Sequence, residues 1–356
     1  MENIILTGTG SYVPNRVIKN EDFLDQEFYD ENGNKFEVDN HIVIEKLKDI
    51  TGVYERRYLD DELNNSDMGA IAAQRAIDDA GIDPETLDYI IVAQNAGEVL
   101  KGSHQSDMIP SIASRVKQKL KIKNPNTIPY DIMFGCPGWL QGVINMTAFM
   151  KTGMAKRVLV IGSETLSRVV DPYDRDSMIF SDGAGATIFE LVHEEFKRGI
   201  LSHSVASHTL VEADYLFMDK TYNPNIEDNN RYIKMLGRKI YEYSLMNVPK
   251  AMKDALDKSG IDISDVKKVF IHQANEKMDE AIIKRFFKLY GIKDVAHNVM
   301  PMSINELGNS SVATIPTLID LVLKEKYKDN SIEPGDVTLW ASVGAGMNIN
   351  ALVYRF

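Results

Sequence analysis

The stretch AAQRAIDDAGIDPETLDYIIVAQ, residues 72–94, returns in altered form 179 positions later as AMKDALDKSGIDISDVKKVFIHQ, residues 251–273. Seven of the 23 pairs are identical: Ala72/Ala251, Ala76/Ala255, Asp78/Asp257, Gly81/Gly260, Ile82/Ile261, Asp83/Asp262 and Gln94/Gln273. In each copy, small apolar residues at helical spacing run to a glycine, and a continuous apolar run follows. Those runs are Ile90-Ile91-Val92 and Val269-Phe270-Ile271. The same offset pairs Val158-Leu159-Val160-Ile161 with Val337-Thr338-Leu339-Trp340. Two copies of one strand–helix unit predict a pseudo-symmetric α/β protein whose largely parallel sheets are covered on both faces. The halves are expected over 1–190 and 236–356. The polar stretch 191–235, with Asn223-Pro224-Asn225 and Glu227-Asp228-Asn229-Asn230, reads as the connection between them.

One mismatch in the repeat points to chemistry. Ala93 of the first copy is replaced by His272, at the end of a buried strand, and open α/β sheets bind ligands at the carboxyl ends of strands. A core histidine with satisfied hydrogen bonds is the alternative. The only cysteine of the chain lies in Asp131-Ile132-Met133-Phe134-Gly135-Cys136-Pro137-Gly138, where a strand turns through Gly135 into a helix. Unpaired N–H groups at a helix start favour a thiolate, although a lone cysteine often serves as a small buried hydrophobe. Asn309 follows Gly308 at another turn into a helix. Ser342-Val343-Gly344-Ala345-Gly346-Met347 interrupts two strand-like runs with glycines, which let backbone N–H groups approach a ligand, as an oxyanion hole requires.

Composition narrows the function classes. With 356 residues, 44% apolar and 26% charged, the chain is an ordinary globular one. A net charge of −12 argues against nucleic acid as a partner. A single cysteine suits a reducing cytosol. The N-terminus lacks a basic, apolar leader, and no run is long enough to span a bilayer. Gly8-Thr9-Gly10 lacks the third glycine of a dinucleotide fingerprint. Asp30-Glu31-Asn32-Gly33-Asn34 lacks the glycine a calcium loop needs at Lys35. No metal is expected.

Cys, His and Asn serve together in papain-type proteases, in that chain order, but the residues around Cys136 lack the protease signature. Gly8 to Pro14, Thr51-Gly52-Val53-Tyr54-Glu55-Arg56-Arg57, Phe180-Ser181-Asp182-Gly183-Ala184-Gly185-Ala186, His272-Gln273-Ala274-Asn275, Gly308-Asn309-Ser310-Ser311 and the closing Ala351 to Phe356 run in one order from first strand to last residue. Together they resemble β-ketoacyl-ACP synthase III, a condensing family of the thiolase superfamily.

The resemblance implies the thiolase fold, a five-layered αβαβα sandwich of two βαβαβαββ halves, as a cytoplasmic homodimer. It implies that Cys136 is the acyl-carrying nucleophile, that His272 and Asn309 donate hydrogen bonds to a malonyl thioester, and that the N–H groups of Cys136 and Ala345 form the oxyanion hole. Ile109, Gly346 and Met347 are expected at the substrate pocket. Lys277, Lys284 and Arg285 correspond to residues that dock acyl carrier protein. The substrates implied are acyl-CoA or acyl-ACP with malonyl-ACP, and no cofactor is needed.

The chain departs from the family where a Trp and an Arg clamp the adenine of coenzyme A. Lys46 and Ile50 stand there, beside extra residues around 30–40, so the expectation is that no aromatic–guanidinium clamp forms and that the primer is not acetyl-CoA. A second insertion runs from Glu98 to Asp107. A dialkylresorcinol- or quinolone-type ketosynthase, an HMG-CoA synthase relative with Glu98 as acid in place of Asn95, and a non-catalytic chain-length partner are the alternatives.

Overall fold

The computed structural model describes residues 1–296, 298–327 and 330–356. The first half comprises β1 (Glu2–Tyr12), β2 (Arg16–Lys19), α1 (Asn40–Thr51), β3 (Glu55–Tyr58), α2 (Asn65–Ala80), β4 (Tyr89–Ala93), α3 (Ile112–Lys119), β5 (Ile128–Ile132), α4 (Gly138–Lys151), β6 (Arg157–Thr165) and β7 (Asp182–His193). After it come β8 (Gly199–Ser207), β9 (Leu216–Asp219), β10 (Tyr232–Met235), α5 (Gly237–Ser259), β11 (Val266–Ile271), α6 (Glu276–Lys288), α7 (Ile304–Leu307), α8 (Thr314–Leu323), β12 (Val337–Gly344) and β13 (Asn348–Arg355).

The repeat is a structural one. Gly81 and Gly260 both end their helices in the left-handed region, at φ 63° and 72°. Asp83 and Asp262 each cap the following 3-10 turn by accepting from the backbone N–H two residues on. Gln94 and Gln273, both buried just beyond their strands, each staple a loop, Gln94 its own and Gln273 the one ahead of α7. The Gln94 carbonyl accepts from Gly97 N at 2.6 Å, and that of Gln273 from Ser303 N at 2.8 Å.

The first sheet runs β1-β7-β6-β4-β5 and the second β11-β12-β13-β8. β4 is parallel to β5 and β6, as β11 is to β12, while β7 and β13 run antiparallel to their neighbours. Side chains alternate between cores, as strands covered on both faces require. Ile91, Val160, Phe270, Trp340 and Leu352 face a central core with α4 and α8. Ile90, Val92, Leu159 and Ile161 face α2 and α3 on one outside. Val269, Ile271, Leu339 and Val353 face α5 and α6 on the other. Helix, sheet, helix, sheet, helix is the five-layered thiolase fold. Trp139 of α4 packs on Trp340 of β12, with ring centroids 5.6 Å apart, and couples the halves.

The stretch 191–235 is more than a connection. β8 lies inside it and forms the edge of the second sheet, pairing with β13 from Asn348↔Ser207 to Arg355↔Gly199. Its outer face meets solvent, with Val205 exposed, so it lacks the apolar run that marked the other strands. The rest folds as the β9–β10 hairpin, Tyr232↔Asp219 to Met235↔Leu216. Lys234 fastens that hairpin: its buried ammonium bonds Asp171 at 2.5 Å and Asp174 at 3.2 Å and lies over the Tyr222 ring.

Candidate active site

Cys136 sits between β5 and α4, one residue ahead of the helix cap Pro137. Gly135, at φ 68°, makes the turn. Opposite it, Gly344 and Ala345 at the end of β12 come so close that a Cβ on Gly344 would lie 2.4 Å from Cys136 N, and one on Gly135 would lie 2.6 Å from Ala345 N. The 135–136 and 344–345 backbones, from opposite halves, thus pack directly against each other. Gly162 of β6 performs a similar service, since a Cβ there would lie 2.1 Å from Val312 O. Its absence lets the 309–313 loop lie down on the first sheet.

His272 follows β11, its N–H donating to Ala341 O at 2.9 Å. The residue is buried, and burial pushes its pKa down to about 4 against an opposing hydrogen bond with the Ser311 main chain. The ring is therefore neutral at physiological pH, and its Nδ1 has no hydrogen-bond partner among the described residues. Asn309 is held by backbone bonds to Ile179 and Ser181. Its Oδ1 accepts from Ser311 N at 2.9 Å, which leaves its amide N–H groups for other use.

Ser311 is the residue that sequence reasoning missed. It touches Asn309 and His272, and its hydroxyl donates to Cys136 Sγ at 3.2 Å. It does so from φ 52°, a costly conformation for a non-glycine residue. The only signal was the second serine of Gly308-Asn309-Ser310-Ser311. Glu164 was missed as well. It is fully buried at the end of β6, and burial pushes its pKa up to about 8, against the Asn95 hydrogen bonds that stabilise the charge.

The thiol is not the ready thiolate that a helix start suggested. Burial pushes its pKa up to about 11; the Ser311 hydrogen bond opposes this and the nearby Glu164 adds to it. Desolvation outweighs the helix-start effect here, so the resting group is S–H.

Cys136 opens on a cavity of about 460 Å³. Its apolar wall includes Phe134, Leu166 and Phe180, and the β9–β10 hairpin closes it with Phe217 and Ile233. Ala345, expected at the oxyanion hole, lines it, but the three expected pocket residues, Ile109, Gly346 and Met347, do not. Ile109 is 87% exposed, on a loop outside the cavity. The Met347 side chain turns into the outer core of the second half, and Asn348 takes the wall position instead.

A second, open groove of about 660 Å³ passes Thr51, Ile179 and Ala274-Asn275, the residues just after His272-Gln273. Ile50 lines it, yet an aromatic–guanidinium pair forms there from other residues: Arg175 lies 5.7 Å over the Phe36 ring, and Phe36 comes from the insertion. Of the α6 cations, Lys277 is exposed, Lys284 pairs with Glu280 at 3.3 Å, and Arg285 donates to Leu245 O at 3.2 Å.

Other motif residues are structural. Arg56 is buried and donates to Met178 O, Ile18 O and Asn20 Oδ1. Asp182 accepts from Leu59 N and Ser167 N. Glu98 is spent on the start of α2, accepting from Ser66 N at 2.9 Å and Ser66 Oγ at 2.6 Å, and so is not free to act as an acid. Among the described residues, no three His, Cys, Asp or Glu side chains converge as a metal site would need, and no helix is long and apolar enough to cross a membrane.

Comparison with known proteins agrees with this geometry. Residues 130–208 match the family 3-oxoacyl-[acyl-carrier-protein (ACP)] synthase III, and residues 256–356 match its C-terminal part. A β-ketoacyl-[acyl-carrier-protein] synthase III 1 of Vibrio vulnificus is 31% identical over 99% of both chains, and one of Bacillus anthracis 28% over the same share. The crystal structure of 3-oxoacyl-[acyl-carrier-protein] synthase III from Aquifex aeolicus superposes with a TM-score of 0.81 at 28% identity, covering 99% of this chain and 100% of that one. With both halves matched and that identity carried along the whole length, the chain belongs to the β-ketoacyl-acyl-carrier-protein synthase III family, thiolase-fold acyltransferases that condense acyl thioesters.

Proposed function

We propose that Cys136 carries a primer acyl group of several carbons and condenses it with malonyl-ACP, the enzyme acting as a cytoplasmic homodimer without a cofactor. The cavity beside Cys136 carries this reading. At about 460 Å³ and largely apolar, it would be left mostly empty by an acetyl group. Cys136, at rest as S–H, ionises once a donor is in place; its thiolate attacks the acyl thioester, the proton it gave up goes to the departing carrier sulfur, and the Cys136 and Ala345 N–H groups hold the tetrahedral oxyanion. Malonyl thioester then loses carbon dioxide. His272 and the Asn309 amide donate to its thioester oxygen, and a neutral pair suits this because it stabilises an enolate without protonating it. The enolate carbon attacks acyl-Cys136, the C–S bond breaks, the β-ketoacyl thioester leaves, and the Cys136 thiolate takes a proton from water.

Arg175, Arg238 and Lys239 on the walls of the second groove support entry of a phosphate-bearing carrier arm from that side, with Lys277, Lys284 and Arg285 as the docking face for carrier protein. Mass spectrometry after incubation with acyl-CoA and acyl-ACP panels tests the reading. It should find one adduct, on Cys136, favouring chains of about six or more carbons. No adduct from any donor, or a preference for acetyl, refutes it.

A further inference from the structure

Behind the thiol lies a chain of hydrogen bonds that the condensation chemistry above does not use. Asn95, just beyond β4, turns both its backbone N–H and its Nδ2 toward one oxygen of Glu164, at 3.0 and 2.7 Å. The same Nδ2 reaches Ser311 Oγ at 3.1 Å, and Ser311 Oγ reaches Cys136 Sγ at 3.2 Å. The other Glu164 oxygen is buried and, among the described residues, accepts no hydrogen bond of ordinary geometry.

A hydroxyl has one proton and two lone pairs, and an Asn amide nitrogen only donates. With Asn95 Nδ2 donating to its lone pair, the Ser311 hydroxyl keeps its proton for the sulfur. Glu164 decides which way the Asn95 amide faces, because the reversed amide would set its oxygen against a carboxyl oxygen and forfeit that bond.

We propose that Asn95, anchored by Glu164, is a positioning residue that aims the Ser311 hydroxyl proton at Cys136 Sγ and so stabilises the thiolate that attacks the donor. The inference rests on Cys136 being the nucleophile. The carboxyl and imidazole groups around this chain are Glu164 from β6, His272 beyond β11, and Asp182 of β7, which acts on Glu164; neutral His272 adds no charge.

Because Cys136 is the only cysteine, the pH profile of iodoacetamide alkylation reads its thiolate directly, with or without condensation. A hydrogen bond to a charged group is typically worth enough to shift the thiol by about one pH unit. Ser311→Ala should therefore cut alkylation at pH 8 by about tenfold, and Asn95→Ala should do the same. The Asn95→Ala/Ser311→Ala double variant should fall no further than either single, since both remove one bond.

Glu164→Ala should match Asn95→Ala, while Glu164→Gln, which keeps an acceptor for Asn95, should restore alkylation to within about threefold of wild type. An Asn95→Ala profile that overlays wild type, or losses that multiply in the double variant, would overturn the proposal. Should Asn95→Ala not fold, the Gln-against-Ala contrast at Glu164 decides it. A failed donor panel with an intact alkylation pattern would instead count against the condensing reading.

Discussion

The tightest approach in the site makes Gly344→Ala the most exacting substitution. Gly344 has φ −167°, which any residue can adopt, so the change brings no backbone strain and acts by contact alone. The new Cβ would lie 2.4 Å from Cys136 N, 2.8 Å from Pro137 Cδ and 3.0 Å from Cys136 Cβ. None of these is the end of a flexible side chain. Ordinary contact begins at 3.4 Å, so β12 and the Cys136 turn must part by about 1 Å, a misplacement that can cost about a hundredfold in rate.

The parting separates the two N–H groups of the oxyanion hole, and losing one such donor typically costs about 10²–10³ in kcat. Single-turnover acylation of Cys136 from its preferred donor, followed by mass spectrometry, should slow by at least about a hundredfold, while iodoacetamide still alkylates the thiol. If Gly344→Ala acylates within about threefold of wild type, the two N–H groups do not form the hole.

Primer length should follow cavity filling: at about 0.8 kcal/mol per buried methylene, four extra carbons are worth about 3 kcal/mol, or a preference of about 200-fold in acylation kcat/KM measured with competing donors. Lys234→Met leaves Asp171 and Asp174 facing each other in the interior, and urea unfolding should show a loss of about 3–5 kcal/mol. His272, its pKa lowered by burial to about 4, binds its proton more weakly folded than unfolded. Stability should therefore fall as pH drops from about 6.5 to 4, by up to about 3 kcal/mol, and denaturant titrations of His272→Gln should lack that share. Glu164 has the opposite sign. With its pKa raised to about 8, it should cost stability as pH climbs from about 4.5 to 8, a slope that Glu164→Gln removes.

Most of the architecture was legible because the chain states it twice. Identity at Gly81/Gly260, Asp83/Asp262 and Gln94/Gln273 survived where the backbone demands it: a left-handed cap, a 3-10 cap and a buried staple each accept few side chains. β8 escaped notice because an edge strand with a wet face has no continuous apolar run, and because its partner β13 lies at the far end of the chain. Ile109 and Met347 escaped for a related reason. Whether a side chain faces a cavity, solvent or a core depends on the loop that carries it, and loop geometry leaves little trace in residue type.

Charge state was the least legible part of the site. A helix start argues for thiolate, yet burial pushes Cys136 up, and it pushes His272 down, so both rest neutral. That is the arrangement a two-stage reaction needs. A permanently ionised thiolate at this desolvated position would cost stability in every resting molecule, and a charged imidazole would quench the enolate it is meant to hold. The ionised sulfur has to exist only while a donor thioester is in place, and a side-chain hydrogen bond to it is built in from Ser311, which the fold holds at φ 52°.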